Sequence, residues 1–166
     1  MNFFRLPLLA VLALSTLGMA RKSTVSIRWH LEVGGQEGAP FALPVKFVNP
    51  PREGFMSSIP AVSERNITGI YPVQAANGSW GCAFRLDQEG RISLETLSQE
   101  HRGASMVAFV STKGGTHQVM DMIVDQPVSD GILYIPQGLT ALEIETFKKK
   151  YPLFGPKAAV APKKSR

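Results

Sequence analysis

A chain of 166 residues, 44% of them hydrophobic and carrying a formal net charge of +5, can bury an ordinary single-domain core without staples. Its one cysteine, Cys82, excludes an intramolecular disulfide and any zinc site needing two thiolates. The basic balance suggests a nucleic-acid partner, but the placement of the cations argues against one. Lys148-Lys149-Lys150 end a predicted helix, where positive charge complements the carbonyl end of the dipole. Lys157, Lys163, Lys164 and Arg166 fall in a Pro/Ala stretch over 155–166, expected to be a disordered basic tail. Such a tail makes at most peripheral contact with anionic membrane or envelope polymers.

The first 20 residues read as a signal peptide. One cation, Arg5, precedes the apolar run Leu6 to Leu14, and Ser15 to Ala20 supply the small, more polar stretch a peptidase accepts. The run is far shorter than the ~20 residues that span a bilayer. Cleavage after Ala20 is expected, leaving residues 21–154 as one α+β domain outside the cytoplasm, periplasmic or secreted. Within it, 21–60 are expected to hold N-terminal strands. Val25, Ile27, Trp29, Leu31 and Val33 alternate with polar residues in a half-buried strand. After a glycine-rich loop, Phe41 to Val48 reads as a second strand, and the two are expected to pair as a long hairpin. The prolines of Asn49-Pro50-Pro51 are expected to break the pattern, with 55–66 irregular and a capped turn near Ser63.

Ile70 to Ala75 and Ser79 to Asp87 read as strands joined at the turn Asn77-Gly78. Trp80, Cys82, Phe84 and Leu86 then share one face, which makes Cys82 a buried small hydrophobe. Gly90 is expected to break the chain before a helix over 91–102. The apolar strand Ser105 to Val110, the loop Lys113 to His117, a strand over Gln118 to Val124 and another over Ile132 to Ile135 follow. The last helix, about 141–150, carries a capping box of Thr140 and Glu143 with Leu139 and Ile144 as its hydrophobic staple. The sheet is therefore expected to be mostly antiparallel, with two main helices.

Chemistry-bearing patterns are sparse. His30, His101 and His117 show no metal-ligand spacing. His30 is placed on the polar, surface side of its strand. Asp121 and Asp125 on one strand face stand about 13 Å apart, too far for a carboxylate dyad. Ser57, Ser58 and Ser129 lack a nucleophile elbow. No catalytic residue, metal or cofactor is expected. The loop Gly114, Gly115, Thr116 and His117, with Trp80 near it in sheet order, is the candidate binding surface, because loops on a rigid scaffold carry function.

From about residue 67 to 150 the order of markers resembles the head subdomain of the first periplasmic domain of SecD/SecDF. The stretches that carry this resemblance include Phe84-Arg85-Leu86-Asp87, Arg102-Gly103, Met106 to Val110 and Ile123-Val124-Asp125. Gln126-Pro127-Val128, Asp130-Gly131-Ile132 and Gly138-Leu139-Thr140 with Glu143 continue it. The resemblance implies the fold and contact with extended polypeptide. It does not extend to the strands before residue 60, and the strand-rich N-terminal half is similar to small exported proteins of Verrucomicrobia-like bacteria. The expected role is a non-enzymatic module that binds a protein, peptide or envelope polymer. A structural subunit of an envelope assembly and a hydrolase with no sequence signature are the alternatives.

Overall fold

The computed structural model describes residues 25–35 and 40–155. The expected signal peptide and the basic tail beyond Gly155 lie outside the described residues. In chain order the elements are β1 (Ser26–Val33), β2 (Ala42–Val48), β3 (Pro51–Ser57), β4 (Val62–Ser63), β5 (Ile67–Gln74), β6 (Trp80–Leu86) and α1 (Gln88–Glu100). Then come β7 (Ser105–Thr112), β8 (Gly115–Ile123), β9 (Ile132–Leu139) and α2 (Ala141–Lys150). The larger sheet runs β2-β3-β1-β7-β8 with β4 beside β1, the smaller runs β5-β6-β9, and all of these pairs are antiparallel.

The N-terminal strands depart from the sequence expectation. β1 and β2 do not form a hairpin. β2 pairs along its whole length with β3, turning at Asn49-Pro50, and β3 occupies a segment expected to be broken. Pro51 stands at the first position of its strand, where a missing donor does little harm. Glu53 and Phe55 alternate with Gly54 and Met56 well enough to continue it. Pro44 sits in β2, the outermost strand, another place where the sheet tolerates proline.

α1 also begins earlier than expected. The Asp87 side chain accepts from the Gly90 amide at 2.7 Å and caps the helix, so Gly90 lies within the first turn. A Cβ there would stand 2.7 Å from the Asn66 Cβ, and glycine serves close packing at this position. α2 starts with the predicted capping box, Thr140 and Glu143 exchanging hydrogen bonds.

The main core lies between the two sheets and the helices. Trp29 of β1 meets Phe84 of β6 edge-on at 5.3 Å, and Phe84 meets Phe147 of α2 in the same way at 5.5 Å. Such pairs contribute about 0.5–1.5 kcal/mol beyond the area they bury. Cys82 is fully enclosed there, and burial pushes its thiol up to about 12. It therefore remains an inert thiol at neutral pH.

A smaller core of Val45, Phe47 and Val107 sits on the opposite face of the larger sheet. It exists because the β2–β3 hairpin curls over β1 and β7. Two polar clasps hold that curl. Asp121 of β8 accepts from the Val48 and Asn49 amides at 2.5 and 2.9 Å. Arg52 makes a two-pronged bond to Glu32 and donates to the Ser105 hydroxyl, while Glu32 accepts from the Ser105 amide. The Arg52 guanidinium also lies 4.1 Å from the Phe47 ring centroid. His30, expected at the surface, is buried beneath the same hairpin. Its Nδ1 lies 2.8 Å from the Ser57 carbonyl oxygen and its ring packs edge-on against Phe109. Burial lowers its pKa. Alternation misplaces His30 because β1 is covered on both faces at that point.

After α2 the chain passes along β5. The Ile70 amide donates to the Pro152 carbonyl at 3.0 Å and the Phe154 amide donates to the Ile70 carbonyl at 3.0 Å, a parallel bridge that covers the outer edge of the smaller sheet.

Candidate functional site

Two strands are left as sheet ends that face one another: β8 of the larger sheet and β9 of the smaller. They converge where Gly138, at φ +104°, lies against the Val119 carbonyl. A Cβ at Gly138 would stand 3.0 Å from that oxygen, so glycine permits both the backbone conformation and the approach. Beyond this point the strands leave a groove of about 360 Å³ between Met120 to Val124 on one side and Ile132 to Pro136 on the other. Leu94 and Leu97 of α1 and Met106 of β7 complete the lining.

The groove wall is largely apolar and rich in methionine. Met106 and Met122 are cross-strand partners, and Met120 lies two residues from Met122 on β8. Alternation places all three on the face that meets α1. Methionine is flexible and polarisable, so a surface built from it accommodates apolar groups of different shape. Polar groups are few: Asp121, already engaged with the β2–β3 turn, Asp125 and Gln126 at the wide end, and Ser98, whose hydroxyl accepts from the Val128 amide at 2.9 Å.

The residues expected to form the binding surface lie just past the narrow end. The expected loop is shorter than its glycines suggest. Lys113 and Gly114 form the tight β7–β8 turn, held by the Thr112 hydroxyl, which accepts from the Gly114 amide at 3.2 Å. Gly115, Thr116 and His117 pair with β7 as the start of β8. Thr116 pairs with Ser111 through their hydroxyls at 2.7 Å. His117 Nε2 lies 3.6 Å from Glu143 Oε1, joining β8 to the first turn of α2. Trp80 is half-buried at the start of β6, opposite Leu139, with the Lys148 ammonium 5.6 Å from its ring. Both ends of the expected surface therefore rest on α2 and its cap. Among the described residues no hydrogen bond, ion pair or ring contact joins His117 to Trp80. No described serine hydroxyl hydrogen-bonds to a described histidine, and no three described His, Cys, Asp or Glu side chains gather as metal ligands would. No helix of the described residues is long and apolar enough to cross a membrane.

No family model matches the sequence, and no curated relative matches it. Solved structures do. A membrane component SecDF that enhances protein export aligns over 80% of this chain and 65% of its own length, with a TM-score of 0.50 and 12% identity. SecDF in a super-membrane-facing form aligns over 80% of this chain and 20% of its own, with a TM-score of 0.51 and 12% identity. The chain thus spans just under two thirds of the first of these and a fifth of the second. At this identity the likeness establishes the fold: an α+β architecture of the kind seen in the SecDF structures, as the marker residues from 67 onward suggest. It also reaches further than those markers. Residues 67–155 are little more than half of the 166, so an 80% alignment takes in N-terminal strands that have no counterpart at the level of sequence.

Proposed function

We propose that this chain is a non-enzymatic binding module of the cell envelope that takes up extended, apolar polypeptide segments in the β8–β9 groove. The observation that carries this reading is the groove's construction. A strand edge offers a row of backbone donors and acceptors that an extended chain can satisfy. Here two edges flank one methionine-rich floor, so backbone pairing and side-chain burial are available to the same ligand. The mode suits sequence-tolerant recognition, since the edge reads only main chain and the thioethers adapt. The shared fold with a component described as enhancing protein export supports the same class of ligand. A position outside the cytoplasm agrees with the short apolar run at residues 6–14.

The test is titration of the protein with a nine-residue Leu/Val-rich peptide, followed by amide chemical shifts. The expected result is saturable shifts confined to β8, β9 and the α1 face, abolished when alternate peptide nitrogens are methylated. Equal binding of the methylated peptide would show that edge pairing plays no part. Shifts lying elsewhere would remove the groove from the function altogether.

A further inference from the structure

The smaller sheet has a second face, turned away from the core, which the groove borders only along β9. Tyr71 of β5, Ala83 of β6 and Tyr134 of β9 lie in one row across it, since Tyr71 pairs with Ala83 and Ala83 with Tyr134. Tyr71 is 39% exposed and Tyr134 48% exposed, although a tyrosine in a sheet ordinarily buries most of its ring. Between them the side chain is only a methyl group, and Phe154 and Gly155 pack beside the Tyr71 ring. Arg85 follows Ala83 by two residues on the same face and is exposed. Its guanidinium lies 5.0 Å from the Phe154 ring centroid, and Phe154 in turn lies 6.2 Å from Tyr71. No described carboxylate pairs with Arg85.

We infer that this face binds a β-1,4-linked glycan bearing carboxylates. Neighbouring strands lie about 4.8 Å apart, so residues two strands apart have Cα atoms about 9.6 Å apart. In a β-1,4-linked chain alternate sugars turn the same apolar face the same way, once per disaccharide, and that repeat suits rings at this spacing. Each tyrosine supplies a flat apolar surface with a polar rim, the complement of a pyranose face ringed by hydroxyls. Arg85, which pairs with no described carboxylate, sets the charge preference: its planar fork accommodates a carboxylate with two hydrogen bonds. The site adjoins the peptide groove at Tyr134, while Tyr71, Ala83 and Arg85 lie outside the groove lining.

The experiment titrates the full chain with three soluble probes. These are a tetrasaccharide of β-1,4-linked N-acetylglucosamine, the alternating N-acetylglucosamine–N-acetylmuramic acid tetrasaccharide, and an oligouridylate. The tyrosine ring resonances report binding. Saturable shifts at Tyr71 and Tyr134 are expected with both sugars, tighter for the acidic one. Tyr71→Ala and Tyr134→Ala are each expected to weaken binding about tenfold, the loss of one modest contact, while Tyr134→Phe retains it. Arg85→Gln is expected to remove the preference for the acidic sugar and leave the neutral one unchanged. Tyr71→Ala must leave apolar-peptide binding intact, which separates this site from the groove. Absence of saturable shifts with either sugar, binding indifferent to both alanine variants, or tighter binding of the oligouridylate would each overturn the inference.

Discussion

The two cores of this molecule are held by different forces. The main one, around Trp29, Phe84 and Phe147, joins residues from both sheets and α2 and is almost wholly apolar. The smaller one, around Val45, Phe47 and Val107, has too few apolar side chains to hold a hairpin alone, and its curl depends on the Glu32–Arg52–Ser105 and Asp121 clasps. Apolar burial is non-directional and tolerates adjustment, whereas a hydrogen-bonded clasp holds only in one geometry. The first region should therefore fail globally and the second locally.

The largest effect that would test this contrast is Phe147→Ala. It removes the ring packed against Phe84 and Tyr151 and is expected to cost about 3–5 kcal/mol, read as a single shifted transition in urea. A change confined to α2 would break the picture of one shared core. Next is Asp121→Ala, which leaves the Val48 and Asn49 amides without their acceptor. A loss of about 1–3 kcal/mol is expected, and hydrogen exchange should show it in β2 and β3 while β5, β6 and β9 keep their protection. Uniform deprotection would show that the hairpin is no separate unit.

Acid sharpens the comparison further. His30 is held neutral by burial, so its folded pKa lies below the unfolded value of about 6.5. The unfolded state then takes up the proton first, and stability falls as pH drops below about 6.5. His30→Gln should flatten that slope. Glu32, held below the usual carboxylate range chiefly by its bond to Arg52, gives stability that is present above about pH 4.3 and lost as pH falls through its folded pKa. Arg52→Met should remove this second step while leaving the first. The smallest effect expected is that of His117→Ala: its contact with Glu143 is a partly exposed pair, worth under about 1 kcal/mol, and a larger loss would give the β8–α2 contact a structural weight that its geometry does not suggest.

How far the sequence could be read follows the same division. Where an element depends on local chemistry it was legible: the Thr140–Glu143 capping box, the Asn77-Gly78 turn and the alternation that buries Cys82 all stand as their residues indicate. Alternation in β1 and β2 was equally plain, but it does not name a strand's partner, and adjacency in the chain favoured a hairpin that β3 in fact makes with β2. His30 was misplaced for a related reason, since the hairpin that covers it comes from the far side of two prolines. The groove was not visible at all. Met106, Met120 and Met122 are scattered along the sequence, and only the antiparallel register of β7 and β8 assembles them. The stretch from Gly114 to His117 was conspicuous because of its glycines, yet only Lys113 and Gly114 form the turn, and Gly115 to His117 are already paired residues of β8.

The sealing of the sheet ends has a consequence for stoichiometry. Pro44 and the Asp121 clasp blunt β2, and residues 152–154 cover β5. The two ends left over, β8 and β9, look into one shared space. A strand that enters there meets a wall on its far side instead of offering a fresh edge to the next. On the proposed reading the arrangement admits one extended chain and then stops, giving it no template on which to polymerise.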